Sequence, residues 1–307
     1  MPVSFPGPES LAMEGAILTG AGGFVGSSLV KLLAGARTLS LGADDWDARL
    51  AAAPLEGATI FHLAARVHDP VSRDEEAFRR DNVDKTRRLA EEAARRGARR
   101  LVFMSSVKVY GDESSHALGR DDSPAPCDPY GRSKLEAERT LSRVAEQSRL
   151  EVVVVRSPLV FGPRAIGNLA SLMSLADGSW PLPFAAIDNR RSFVHVEDLA
   201  RLLVTCGSHP SAVGRTYVSA HDERFSTPRL LSLVRAALGR PARLFGVAPR
   251  LLEAAAAIVG QGNRIRRLTR SLECDPSAAQ VELGWRAHNG LESSAIELAR
   301  AWRQGAA

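Results

Sequence analysis

Thr19-Gly20-Ala21-Gly22-Gly23-Phe24-Val25-Gly26 follows the apolar run Ala16-Ile17-Leu18. It opens a stretch in which Val25, Leu29, Leu32 and Leu33 recur at helical spacing up to Gly35. The pattern is a strand, a glycine turn and a helix. Glycine permits a tight turn, lets the backbone approach a pyrophosphate, and allows strand and helix to pack closely. The N–H groups and dipole of a helix beginning near Gly23 would hold negative charge. Glycines at 20, 23 and 26, directly after the first strand of an alternating chain, are a dinucleotide-binding signature.

Outward from this turn the chain alternates. Strand-like runs cover 37–41, 59–63, 100–105, 151–156 and 215–219, with helical patterns over 75–96, 130–147 and 196–205 between most of them. Alternation of this kind implies an α/β fold, a doubly wound parallel sheet with helices on both faces. Glu151-Val152-Val153-Val154-Val155-Arg156 suits a central strand. The rhythm breaks over 176–190, and after Ala220 come helices without a strong strand partner, at 230–238, 249–258 and 291–304. A dinucleotide-binding unit of 13–165 and 192–220 is therefore expected, with a smaller, mainly helical substrate unit of 166–191 and 221–307. Residues 1–12, rich in Pro and Gly, read as a lead-in outside both.

Composition narrows the class. The 307 residues are 45% hydrophobic and 24% charged, the balance of an ordinary water-soluble globular chain. The most apolar stretch, Leu251 to Gly260, is about half the roughly 20 residues a spanning helix needs, and it contains Glu253. No membrane insertion is expected. The first ten residues lack the basic and apolar regions of a secretion signal, so the expected location is cytoplasmic. Cys127, Cys206 and Cys274 have no metal-like spacing, and neither a zinc site nor a disulfide scaffold is expected.

The net charge of +5 and a pI near 9.5 raise the question of nucleic acid. Arg95, Arg96, Arg99 and Arg100 follow Glu91 and Glu92 and read as a solvated helical face. Arg264, Arg266, Arg267 and Arg270 are less diluted and suit a polyanion or a phosphorylated substrate. No basic stripe with interleaved aromatics is present, so no nucleic-acid partner is expected. Of the 40 basic residues only Lys31, Lys85, Lys108 and Lys134 are lysine. Lysine is a selective choice in this chain.

One of the four lies in Asp128-Pro129-Tyr130-Gly131-Arg132-Ser133-Lys134, where Asp128 can cap a helix and Pro129 suits its first turn. Tyr130 and Lys134, four apart, share a helical face. A phenol near pKa 10 is a poor base at neutral pH. A nearby ammonium, together with an oxidised nicotinamide, would lower it into useful range. Ser106, in Met104-Ser105-Ser106-Val107-Lys108, falls at the carboxyl end of a strand, where ligands bind in doubly wound sheets. Asp44 and Asp45 are the only acids at the distance expected of a ribose ligand, so NAD and NADP both stay open.

Together TGAGGFVG, His62-Leu63-Ala64-Ala65, SSVKVYG, YGRSK and Arg191-Ser192-Phe193-Val194-His195-Val196-Glu197-Asp198 resemble an extended short-chain dehydrogenase/reductase of the NAD-dependent epimerase/dehydratase family. The resemblance runs from about Gly15 to Trp285. It implies a Rossmann-type fold, NAD or NADP as cofactor, a homodimer, and Ser106, Tyr130 and Lys134 as catalytic residues. It further implies cofactor contacts from Gly20, Gly23, Phe24, Val25, Gly26, Leu63, Ala64, Ala65, Asn82, Tyr130 and Lys134. Ser106, Lys108, Asn168, Arg191 and Arg267 would face a UDP-sugar.

Departures narrow the reaction. The 4,6-dehydratases of the family resemble Thr-Asp-Glu where this chain has Ser106-Val107-Lys108, so loss of water across C5 and C6 lacks its acid pair. HLAARVH, SSVKVYG, STPRLL and SLECDPSAAQVELGW look like the bacterial polysaccharide-locus branch, whose members are similar to reductases of UDP-4-keto-6-deoxy-N-acetylhexosamine and are often labelled 4-epimerases. Reduction at C4 is the expected activity, with UDP-glucose or UDP-N-acetylglucosamine 4-epimerisation as the alternative. An NAD(P)-sensing or RNA-binding member without catalysis is a more remote one, against which an intact Ser106, Tyr130 and Lys134 speaks.

Overall fold

Alternate residues of each strand go to opposite cores, the period of two that a pleated strand imposes. The structure is a computed structural model that describes residues 13–67, 74–164 and 168–305; the lead-in 1–12 lies outside the described residues. In β1 (Ala16–Thr19), Ala16 and Leu18 enter one core and Ile17 the other. The glycine turn leads into α1 (Phe24–Leu32), then β2 (Arg37–Leu39), α2 (Trp46–Ala52) and β3 (Thr59–His62).

The helix expected over 75–96 is not uniform. It comprises α3 (Glu75–Phe78), a π turn over Arg79–Asp84, and α4 (Lys85–Arg95). An extra residue in one turn leaves the apolar spacing almost unchanged, so periodicity does not report it. β4 (Arg100–Ser106) ends in a 3₁₀ turn, Val107–Tyr110. Next come β5 (Ala117–Leu118), α5 (Pro129–Glu146), β6 (Glu151–Ser157), β7 (Leu159–Phe161), α6 (Asn168–Asp177), β8 (Phe193–His195), α7 (Val196–Ser208) and β9 (Thr216–Val218). The last part holds α8 (Thr227–Ala237), α9 (Pro249–Ile258), α10 (Gly262–Thr269), β10 (Glu273–Cys274), α11 (Ser277–Leu283) and α12 (Leu291–Arg303).

Six strands form one parallel sheet in the order β2-β1-β3-β4-β6-β9. One strand lies outside β1 where the usual dinucleotide order 3-2-1-4-5-6 has two. The short span between Gly35 and Ala58 holds only β2 and α2. Winding reverses between β1 and β3, and the ligand crevice of a doubly wound sheet opens at such a point, beyond the carboxyl ends of the strands.

Leu18, Phe61, Val102, Val153 and Val155 pack against Leu29 of α1 and Leu199 and Leu203 of α7. Ile60, Leu101, Phe103, Val152 and Val154 pack on the other side against Leu89 of α4 and Leu141 of α5. Each such fully buried side chain contributes about 1.5–3 kcal/mol relative to exposure. A third core joins Phe161, Met173, Phe193, Phe225, Leu231, Val234 and Leu298. Leu283 of α11 and Trp285 return to the first core, so the chain after 220 serves both.

The run Arg95–Arg100 corrects the expectation of a solvated helical face. Only Arg95 belongs to α4. Arg100 starts β4 and is buried, with Glu151 at 2.7 Å and its Nη1 donating to the Cys206 and His209 carbonyls. A guanidinium carries five donors, which lets it tie several carbonyls to a sheet end.

Candidate active site

The glycine turn stands at the carboxyl end of β1. Gly20 has a φ of +76°, and a Cβ there would lie 2.6 Å from the Ala64 nitrogen. A Cβ on Gly26 would lie 2.0 Å from the Gly20 oxygen. Both positions are closed to a side chain by backbone, whereas Gly22 has nothing within 4 Å of its Cβ position. Gly23 caps α1 through its backbone, its amide donating to Gly20 O at 3.0 Å, and no side chain caps the first amides. Phe24 packs on both the first and third cores, and Val25 is buried. The open turn, with uncapped amides above it, fits a pyrophosphate.

A hydrogen-bonded chain holds this turn to its neighbour strand. Thr86 Oγ1 donates to Asn82 O at 2.6 Å, so it accepts from His62 Nε2 at 2.8 Å. That fixes the tautomer, and His62 Nδ1 accepts from Thr19 Oγ1 at 2.7 Å. Thr19 Oγ1 in turn accepts the Ala64 amide at 3.2 Å. Burial pulls the His62 imidazole down to about 3, with Lys134 adding to the effect. Leu63, Ala64 and Ala65, partly buried, thus border the turn at the end of β3.

Asn82 lies in the π turn and is buried. Its Oδ1 accepts the Arg66 amide at 2.7 Å, and its Nδ2 donates to Arg66 O at 3.0 Å and Ser133 Oγ at 2.9 Å. The π turn thus aims one amide side chain at both the β3 loop and α5, a common use of this rare geometry.

Asp128 Oδ1 accepts the Gly131 amide at 2.7 Å and Pro129 opens the first turn of α5. Tyr130 is half-buried, edge-on to Phe78 at 6.3 Å between ring centroids. Ser106, at the end of β4, favours the ionised form of the phenol. Burial outweighs that and, with Asp128, pushes the phenol up to about 12. Lys134 is buried, its Nζ 4.0 Å from the centre of the Phe103 ring. Burial brings the ammonium down to about 7, and Glu138 acts against it.

The structure therefore brings Ser106, Tyr130 and Lys134 to one end of the sheet. In the protein alone, exclusion of water is the largest influence on both groups and pushes each toward its neutral form. Glu138 was not legible beforehand. Tyr130, Lys134 and Glu138 recur every four residues on one face of α5, and that spacing is the signal that could have found it.

The substrate-facing set is divided. Lys108, Arg191 and Arg267 line a cavity of about 470 Å³ with Leu159, Phe184 and Phe225. Lys108 Nζ pairs with Asp112 and lies 3.4 Å from Asp128; Arg267 lies 3.8 Å from the same carboxylate. Burial, then Arg267, brings Lys108 down to about 8. Burial also lowers Arg191, to about 10. Three cations at one cavity wall suit a multiply charged anion. Asn168 opens α6, and its side chain lies outside the described residues. Of the two acids at the distance of a ribose ligand, Asp45 pairs with Arg49 at 2.7 Å on an exposed helix start and is engaged locally. Among the described residues no cluster of His, Cys, Asp and Glu could hold a metal ion, and no helix is long and apolar enough to cross a membrane.

A glycine turn at the reversal of a parallel sheet, beside a hydroxyl, a phenol and a buried ammonium, defines an NAD(P)-dependent enzyme of the extended short-chain dehydrogenase/reductase type. The sequence profile of the NAD dependent epimerase/dehydratase family matches residues 16–220, and the chain belongs to that family. A UDP-glucose 4-epimerase of Vibrio cholerae is 33% identical over 317 aligned residues, spanning 94% of this chain and 95% of the relative. The structure of MoeE5 with UDP-glucose and NAD matches at 25% identity and a TM-score of 0.72, over 95% of this chain and 99% of its own. The fold is likewise that of RMD from Pseudomonas aeruginosa complexed with NADPH, at 20% identity and a TM-score of 0.76, over 94% and 99% of the two chains. The protein is a nucleotide-sugar enzyme of the epimerase/dehydratase type.

Proposed function

We propose that the protein reduces the C4 ketone of a UDP-4-keto-6-deoxy-N-acetylhexosamine, as a step in surface polysaccharide synthesis. The observation that carries this reading is the convergence of Ser106, at the end of β4, with Tyr130 and the buried Lys134 of α5, the phenol being pushed up to about 12 by burial. A phenol so held is a proton donor at neutral pH. Bound NAD(P)H supplies the hydride to C4. Tyr130 donates its proton to the oxygen that becomes the alcohol, and Ser106 orients that oxygen. Lys134, one turn along α5, would hydrogen-bond the nicotinamide ribose. Gly20, Gly23, Phe24, Val25 and Gly26 would cradle the cofactor pyrophosphate, with Leu63, Ala64 and Ala65 beside it. Asn82 supports that side through Arg66 and Ser133. Lys108, Arg191 and Arg267, with Asn168, would hold the diphosphate of the sugar nucleotide and so orient C4. On this reading 13–165 with 192–220 serve the cofactor, and 166–191 with 221–307 the sugar nucleotide, in a homodimer.

The Vibrio cholerae relative favours a second reading, UDP-hexose 4-epimerisation by the same residues run first in reverse. Purified protein incubated with NAD(P)H and the UDP-4-keto-6-deoxy sugar should oxidise the cofactor stoichiometrically. Retention of NAD through purification together with interconversion of UDP-glucose and UDP-galactose, and no net cofactor turnover, would establish the epimerase instead. Tyr130→Phe should lower turnover by about 10²–10⁴-fold and leave cofactor affinity, read by calorimetry, within twofold. Full turnover in Tyr130→Phe would remove the phenol from the mechanism.

A further inference from the structure

Two sets of residues remain without a role, the apolar run Leu251 to Gly260 and the arginines Arg264, Arg266 and Arg270 around Arg267. The structure places them side by side. α9 and α10 form a packed helical hairpin. Leu251, Ala254, Ala255 and Ile258, at i, i+3, i+4 and i+7, form one stripe of α9, and all four are exposed. Leu251 is 65% exposed, Ile258 87% and the adjacent Val259 68%. Single exposed apolar residues are ordinary, but a stripe at helical spacing that faces water is not. Arg250 flanks it at the start of α9, and Arg264, Arg266 and Arg270 stand exposed on or just after α10. From 249 to 270 there are five arginines and one acid, Glu253, which Arg270 already engages at 2.7 Å.

We propose that this hairpin docks on an anionic lipid bilayer, with the α9 stripe entering the headgroup boundary and the arginines meeting lipid phosphates. An apolar stripe of modest length bordered by arginine is what an interfacial helix needs, and it lies on the membrane without spanning it. Charge complementarity selects this occupant over a second copy of the chain. A twofold contact through the same face would set the arginine border against itself. The same hairpin supplies Gln261, Arg264, Ile265, Arg267 and Leu268 to the cavity wall, so Arg264 stands at the cavity rim and docking would set the cavity beside the membrane surface. The proposal is independent of whether the enzyme reduces or epimerises its sugar.

Flotation of the full chain with vesicles of phosphatidylglycerol and phosphatidylcholine tests it. Wild type should float with these vesicles at low salt. Binding should fall at least tenfold with phosphatidylcholine alone, and at least tenfold in high salt. The double variant Leu251→Glu, Ile258→Glu should lose binding at least tenfold, with melting temperature and NAD(P)H affinity unchanged, since both side chains point away from the cores. Arg250→Ser with Arg266→Ser should weaken binding to anionic vesicles at least threefold. Absence of wild-type flotation, or equal flotation of the Glu variant, overturns the proposal. So does a dimer in sedimentation that the Glu variant dissociates, because a second copy would then cover the face.

Discussion

Lys134 is held where its charge is disfavoured, and this has a measurable consequence. Its pKa falls from 10.5 to about 7 on burial. Between these values the unfolded chain binds more protons than the folded one, so stability rises as pH goes from about 7 toward 10.5 and is lost on the way back. A Lys134→Met variant lacks this dependence. Its advantage in melting temperature over wild type should be largest at or below pH 7 and shrink by pH 10; an offset independent of pH would mean that the ammonium is not desolvated. His62 follows the same sign lower down. It is neutral in the fold and charged when unfolded between about 3 and 6.5, so stability falls as pH drops through that window. The spacing of Tyr130 and Lys134 was legible in the sequence because four residues make a helical turn. The direction of their pKa shifts was not, because it depends on how much water packing excludes from each.

At the scale of elements, the glycine turn was the most readable part of the chain. Its glycines are demanded by backbone contacts within a strand–turn–helix, a local matter. Gly26→Ala sets a Cβ 2.0 Å from the Gly20 oxygen, where only movement of α1 relative to β1 can relieve it. The expected loss is about 1–3 kcal/mol in urea unfolding, with at least tenfold weaker NAD(P)H binding by fluorescence titration. Wild-type affinity in that variant would show that the turn does not form the cofactor cradle. The π turn at Arg79–Asp84 was illegible for the opposite reason. Nothing in the spacing of Phe78, Val83 and Leu89 separates a continuous helix from one with a single widened turn. Only the contacts of Asn82 with Arg66 and Ser133 explain why it is there.

Across the whole molecule, one buried network ties the catalytic helix to the sheet. Glu138 of α5 meets Arg156 of β6 at 2.7 Å and also accepts from Ser105 of β4, and Arg156 Nη1 donates to the Tyr110 hydroxyl at 2.6 Å. Glu138→Ala leaves the Arg156 guanidinium without its counter-charge in the interior, at a cost of about 3–5 kcal/mol. Glu138→Gln keeps part of the hydrogen bonding and should cost less. Urea unfolding measures both, and a loss below 1 kcal/mol for the alanine variant would show that water reaches the pair.

The sequence by itself determined what is local: the strand–turn–helix around Gly20, the alternation that makes a parallel sheet, the cap and first turn of the helix carrying Tyr130, and the family to which these belong. These follow from dihedral freedom, side-chain period and capping, all of which act within a few residues. Tertiary structure alone decided that Arg100 is buried instead of solvated and that Lys108 and Arg267 both lie within 4 Å of the Asp128 carboxylate. It also decided that the hairpin of α9 and α10 turns its apolar stripe outward. Each of these depends on desolvation and charge between groups far apart in the chain, and separation along a sequence carries no record of distance in space.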